Sequence, residues 1–83
     1  MITETEKEQL RKKMASSFRA ARKELALSQE KMAELLGISA RSYEDLEHGI
    51  NLCSAIVLLR FLSRSGVNAA KLLEELNTLL TSE

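Results

Sequence analysis

The sequence predicts an all-α fold in a single domain, 1–83, and three observations carry that expectation. The chain of 83 residues has no proline and only three glycines, so little in it interrupts a helix. Leu, Ala, Glu, Lys and Arg dominate, and these side chains lose little rotamer freedom on entering a helix. Apolar residues recur at spacings of three and four, the period of a helix with one buried face. A chain of this length buries only about 60–65% of the surface its unfolded form exposes. That leaves no room for a deep cavity, and a second copy would relieve a marginal core.

The first helix is expected from Glu4 to Ala26. Thr3 with Glu6, or Thr5 with Glu8, fits a capping box, in which a hydroxyl bonds a free amide and a glutamate reaches back. Leu10, Met14, Phe18, Ala21 and Leu25 fall within an arc of about 80° and form its core stripe. Arg11, Lys12, Arg19, Arg22 and Lys23 fill an adjacent arc of about 120°. That arc reads either as a solvated face or as a stripe turned toward phosphates.

Ser28 is suited to cap a second helix, Gln29 to Leu36, which Gly37 ends in the left-handed conformation. Ser39 then caps a third, Ala40 to about His48, ended by Gly49. A fourth covers roughly Ser54 to Ser65, with its apolar face on Ala55, Ile56, Leu58, Leu59 and Leu62, and Gly66 stops it. Asn68 caps a fifth, Ala69 to Leu80. It carries Leu72, Leu73, Leu76, Leu79 and Leu80, more leucine than one short helix needs to dock on a small core. The surplus predicts a buried subunit contact between two copies.

Charge is balanced overall, with 12 Lys and Arg against 12 Asp and Glu. It is polarised along the chain. Nine of the basic residues lie between Lys7 and Arg41, and from Glu44 onward six acids face three basic residues. Polarity of this kind makes a basic face on a neutral protein. The lone Cys53 allows no intrachain disulfide and reads as a small buried apolar residue. The polar start, Met-Ile-Thr-Glu-Thr-Glu-Lys-Glu, does not fit a secretory signal. The longest wholly apolar run, Ala55 to Leu59, is far short of the ~20 residues of a membrane span. A soluble, cytoplasmic protein without membrane contact is expected.

Catalysis is not expected. The sole histidine, His48, sits at a helix end beside glycine, where a C-terminal cap or a phosphate contact accounts for it. No metal-ligand spacing, nucleophile–base pair or Gly-rich phosphate loop occurs, so neither metal nor cofactor is predicted. Tyr43 reads as a packed ring with its hydroxyl at the surface.

The informative segment runs from Gln29 to His48. Two short helices joined by a tight turn must cross steeply. The crossing needs a very small side chain, supplied by Ala33. The turn needs a residue tolerant of positive φ, supplied by Gly37. The inner faces need apolar residues, and Met32, Leu36, Ile38, Tyr43 and Leu46 fall where required. With Leu27-Ser-Gln-Glu-Lys-Met-Ala-Glu-Leu-Leu-Gly-Ile-Ser followed by Glu47-His-Gly49, the chain resembles the Cro and phage-repressor (XRE) type of helix-turn-helix domain. The resemblance extends from about Phe18 to Val67 and is densest from Leu27 to Gly49.

That resemblance implies a five-helix, lambda-repressor-like bundle that presents its third helix to the DNA major groove. It implies a transcriptional regulator, acting as a repressor. It implies a homodimer on an inverted-repeat operator in double-stranded DNA, with half-sites about one helical turn apart. By position, Ala40, Arg41, Glu44 and Asp45 would face base edges, with Arg41 forking onto a guanine. Gln29 would contact phosphate at the start of the second helix. Ser42 would be a phosphate contact or a first-turn cap. Arg11, Lys12, Arg19, Lys23 and His48 would be further phosphate contacts. Arg22 and Glu47 would form a structural pair tying the first helix to the third. The third helix sets one arginine against three acids, so phosphate neutralisation is expected from the first helix and from amides near Gly49. The competing reading is a protein-interaction or antitoxin-like module, with a protein partner on the same fold.

Overall fold

The computed structural model describes residues 3–80 and contains five helices, with no strand among the described residues. They are α1 (Glu4–Glu24), α2 (Gln29–Leu36), α3 (Ala40–Glu47), α4 (Ala55–Arg64) and α5 (Ala69–Leu80). The outermost residues of the expected 1–83 domain, with the opening of the polar N-terminus, lie outside the described residues.

Each helix begins where a side chain satisfies an otherwise free backbone amide. The capping box forms at Thr3, not at Thr5: Thr3 Oγ1 accepts from the Glu6 amide at 3.1 Å, and Glu6 Oε1 accepts from the Thr3 amide. Ser28, Ser39 and Ser54 accept from the amides of Lys31, Ser42 and Val57. Asn68 Oδ1 accepts from Lys71 at 3.0 Å. Such a cap contributes about 1 kcal/mol.

The end of α1 departs from expectation. The helix stops at Glu24, because Ala26 adopts φ +56° and the Leu27 amide reaches back to the Arg22 carbonyl at 3.0 Å. This is a left-handed helix exit in which alanine occupies the place glycine usually takes. Leu25 therefore leaves the predicted core stripe and is exposed, and Leu27 turns in against the core instead.

The core forms around Phe18. Its ring lies 4.6 Å from that of Phe61 and 6.0 Å, edge-on, from that of Tyr43. All three aromatic residues of the chain are thus fully enclosed in one cluster. Met14, Ala21, Met32, Ala33, Leu36, Leu46, Val57 and Leu72 complete it. Helix α3 packs on both α1 and α2, α4 packs on α2, and α5 on α1. The Lys13–Glu75 ion pair joins α1 to α5.

Two predicted faces are corrected. On α4 the buried side chains are Val57 and Phe61, flanked by the half-buried Leu58 and Leu62, while Ala55, Ile56 and Leu59 face outward. Apolar residues stand on both sides of this helix, so periodicity alone could not choose between them. Stacking of Phe61 on Phe18 decides the rotation. On α5, Leu72 belongs to the core of its own chain, and Leu76 packs partly against it. Only Leu73 and Leu80 of the five leucines stand clear as exposed apolar groups.

Candidate nucleic-acid interface

A turn too short for flexibility links α2 to α3. Gly37 sits at φ +72°, its amide bonds the Glu34 carbonyl, and the Ile38 amide bonds Ala33 at 3.0 Å. Ile38 packs partly against the core, which pins the middle of the turn. The C-terminal carbonyls of α2 are satisfied from α4: Arg60 donates to Leu36 at 3.1 Å and Arg64 to Leu35 at 3.0 Å. Both arginines escaped the sequence reading, which gave α4 no polar role.

Helix α3 has eight residues and so is about 12 Å long. Its inner face buries Tyr43, Leu46 and Glu47. Its outer face carries the sequence-predicted readers. The Arg41 side chain is 86% exposed, with Nε 3.9 Å from Asp45 Oδ1. That separation is beyond hydrogen-bond distance, so the guanidinium fork stays available. Ala40, Glu44 and Asp45 are half-buried alongside it. Ser42 is exposed and its hydroxyl accepts from the capping Ser39 at 3.0 Å, so the cap is Ser39 and Ser42 supports it. His48 is the exposed C-cap residue of α3.

Behind this face lies a polar cluster that holds three helices together. Arg22 donates to both carboxylate oxygens of Glu47, from Nε at 2.5 Å and from Nη2 at 3.3 Å. Its Nη1 donates to the Leu27 carbonyl at 3.1 Å. Gln29 Nε2 donates to Glu47 Oε1 at 3.2 Å, and Arg19 donates to the Glu47 carbonyl oxygen. The pairing of Arg22 with Glu47 is therefore present. Arg19 is exposed with the rest of the predicted phosphate stripe, and one of its guanidinium nitrogens also reaches the C-terminus of α3. Gln29 keeps one amide proton and its carbonyl oxygen beyond the bond to Glu47. Lys12 and Lys23 are exposed, with Lys12 3.0 Å from Glu8, and Arg11 is half-buried. Within the basic arc of α1, Arg19 and Arg22 thus brace α3, while Lys12, Lys23 and Arg19 itself meet solvent.

Tyr43 corrects its expectation. Its hydroxyl is buried and donates to the Phe18 carbonyl at 3.3 Å. Burial, reinforced by the nearby Glu47 carboxylate, pushes the phenol well above its ordinary range. Burial acts on Glu47 in the same upward sense, but the hydrogen bonds from Arg22 and Gln29, with the Tyr43 hydroxyl close by, outweigh it and hold the carboxyl below the usual range. Burial also pushes the half-buried Cys53 thiol up, which suppresses its thiolate. The sequence signal for this cluster was Glu47 itself, an acid one residue from Leu46 and one turn from Tyr43. Facing inward, it had to find donors.

With Glu47 neutralised in the interior, the outer face of α3 sets Arg41 against two acids, Glu44 and Asp45, rather than three. No group of three His, Cys, Asp or Glu residues placed to hold a metal occurs among the described residues. No helix among them is long and apolar enough to cross a membrane. Residues 15–81 match the model of a family described as a helix-turn-helix domain. No curated protein and no solved structure matches the chain.

Proposed function

This chain belongs to the helix-turn-helix domain family, and on that premise we propose that it binds double-stranded DNA sequence-specifically and represses transcription by occupying an operator. The observation that carries the reading is the exposed Arg41 on a short helix whose opposite face is locked into the core. A guanidinium presented in this way can donate two parallel bonds to guanine O6 and N7. Ala40 can meet a thymine methyl, and Glu44 or Asp45 can accept from a cytosine amino group. Gln29, Ser42, His48, Arg11, Lys12, Arg19 and Lys23 supply the phosphate side. Arg19 also holds the end of α3 through one guanidinium nitrogen. The Cro and phage-repressor subtype is part of the proposal, as is a homodimer on an inverted repeat.

The protein acts, on this reading, by occupancy and carries out no bond chemistry. Selection of bound sequences from a random duplex pool tests it. Enrichment of an inverted repeat with a G at one fixed position of each half-site is the expected result. Failure to retain any duplex at low salt would leave the interaction-module reading in its place, which the two acids beside Arg41 favour.

A further inference from the structure

Helix α2 ends without a cation of its own. Its last turn carries no basic residue, although carbonyls at a helix C-terminus favour positive charge. Within the turn, Ala33 accepts from the amides of Gly37 and Ile38, and Glu34 from that of Gly37. Leu35 and Leu36 accept instead from α4, from Arg64 at 3.0 Å and Arg60 at 3.1 Å. The two arginines lie one turn apart on α4, so they meet successive carbonyls.

Arg60 has the firmer hold of the two. It is half-buried, it directly precedes the fully buried Phe61, and its guanidinium lies over Gly37, where the turn begins. Arg64 is exposed. Only Gly37, Ile38 and Ser39 separate the Leu36 carbonyl from α3, and Arg41 lies in the first turn of that helix. Helix α3 packs on α1 and α2, and α4 packs on α2. What α4 contributes to the placing of α3 therefore passes chiefly through α2 and the turn.

We propose that Arg60 is a positioning residue for base reading: turned to a carbonyl of α2, it fixes the turn from which α3 departs and so aims the Arg41 fork. The proposal rests on the DNA-binding reading and adds a determinant of its specificity that lies behind the reading face. Bidentate recognition is the contact most sensitive to such aim. Two parallel N–H bonds need the guanidinium plane aligned with the guanine edge, whereas a phosphate accepts a cation from many directions. A loosened turn should therefore cost discrimination before it costs affinity for duplex in general.

A double-mutant cycle on the full chain tests this. Affinities for a selected and a scrambled duplex are compared by fluorescence anisotropy, at a temperature where circular dichroism shows every variant folded. Arg60→Met keeps the aliphatic stem and removes the donors. It should lower the ratio of the two affinities about tenfold, within the range for residues that contact neither partner. In an Arg41→Ala background the same change should lower the ratio by less than about twofold, because the contact it aims is already gone. Arg60→Lys, which keeps a donor for Leu36, should recover most of the ratio. A cap that serves stability alone would weaken both duplexes together and leave the ratio where it was. That result overturns the proposal, as does an equal loss of ratio with and without Arg41. Amide resonances of residues 38–42 give a readout without DNA. They should move in Arg60→Met, and resonances that stay in place overturn the proposal whether or not any duplex is retained. A wild type that retains no duplex sinks the DNA-binding reading itself, and shows before any variant is made.

Discussion

Glu47, on α3, stands where three helices meet and is met by donors from the other two, Arg22 and Arg19 from α1 and Gln29 from α2, with the Tyr43 hydroxyl close by. The Glu47 side chain is 3% exposed and that of Arg22 19%. Glu47→Gln leaves Arg22 without its charge partner, and the expected loss is about 3 kcal/mol, the lower end for breaking a buried pair. The pH dependence has a definite sign. The folded pKa of Glu47 is below its unfolded value, so its stabilisation is complete at neutral pH. It is lost as the pH falls from the ordinary glutamate range through the depressed native pKa. Denaturant melts of wild type and Glu47→Gln should therefore differ most near pH 7 and converge in acid. Arg41 differs from Glu47 in every respect: it is exposed, loosely paired and free to reorient. Arg41→Ala should leave stability within about 0.5 kcal/mol of wild type. It should cost about 1–3 kcal/mol of discrimination at one base pair, read as a flattened preference at that position in the selected pool.

At the scale of elements, the placement of α3 depends on what happens at its two ends and at the turn before it. Gly37 is needed chiefly for its backbone conformation. Its φ of +72° disfavours any side chain, and an added Cβ would collide with the Arg60 guanidinium that caps α2. Gly37→Ala should destabilise by more than the about 1 kcal/mol of the backbone term alone, since Arg60 must also give up Leu36. The exit of α1 provides the opposite case. Ala26 holds φ +56°, a conformation that costs an L-residue roughly 1–2 kcal/mol. Ala26→Gly should raise the thermal midpoint, because the folded strain removed exceeds the entropy the unfolded chain gains. Calorimetry of the two single variants gives both signs in one experiment. At α4 the element scale overrides local pattern. Its rotation follows Phe61 onto Phe18, and that rotation exposes Ile56 and Leu59.

For the whole molecule, formal neutrality conceals a division of labour among its charges. Part of the basic complement of α1 is engaged by Glu47, and α4 directs two arginines to α2. The cations facing water include Lys12, Arg19, Lys23 and Arg41. Affinity for DNA should accordingly fall with salt, but less steeply than the sequence's twelve cations would suggest. Lys12→Ala and Lys23→Ala should each lower affinity for all duplexes alike and reduce the slope of log K against log salt by about 1. A salt titration by fluorescence anisotropy on one selected duplex and one scrambled duplex checks this. The dimensions carry a second consequence. The molecule measures 38 × 24 × 20 Å and presents one α3, whereas two half-sites lie about 34 Å apart. One copy serves one half-site, so reading an inverted repeat requires a second.

Local chemistry was sufficient to read the five helices, though not the left-handed exit of α1 at Ala26. Hydroxyl and amide caps, a left-handed glycine at Gly37 and the spacing of Met14, Phe18 and Ala21 act over a few residues of chain, and a one-dimensional string records them in full. The exposed position of Arg41 was legible for the same reason, since the buried Tyr43 and Leu46 fix which side of α3 points away. Rotation of helices that are apolar all round, and the fate of charges with distant partners, are not local properties. Whether Leu59 or Phe61 enters the core, whether Leu72 packs into the interior, and whether Arg19 reaches the end of α3 each depend on which helix lies opposite. That juxtaposition exists only once the chain has closed on itself, because packing and burial energies are summed over contacts far apart in sequence.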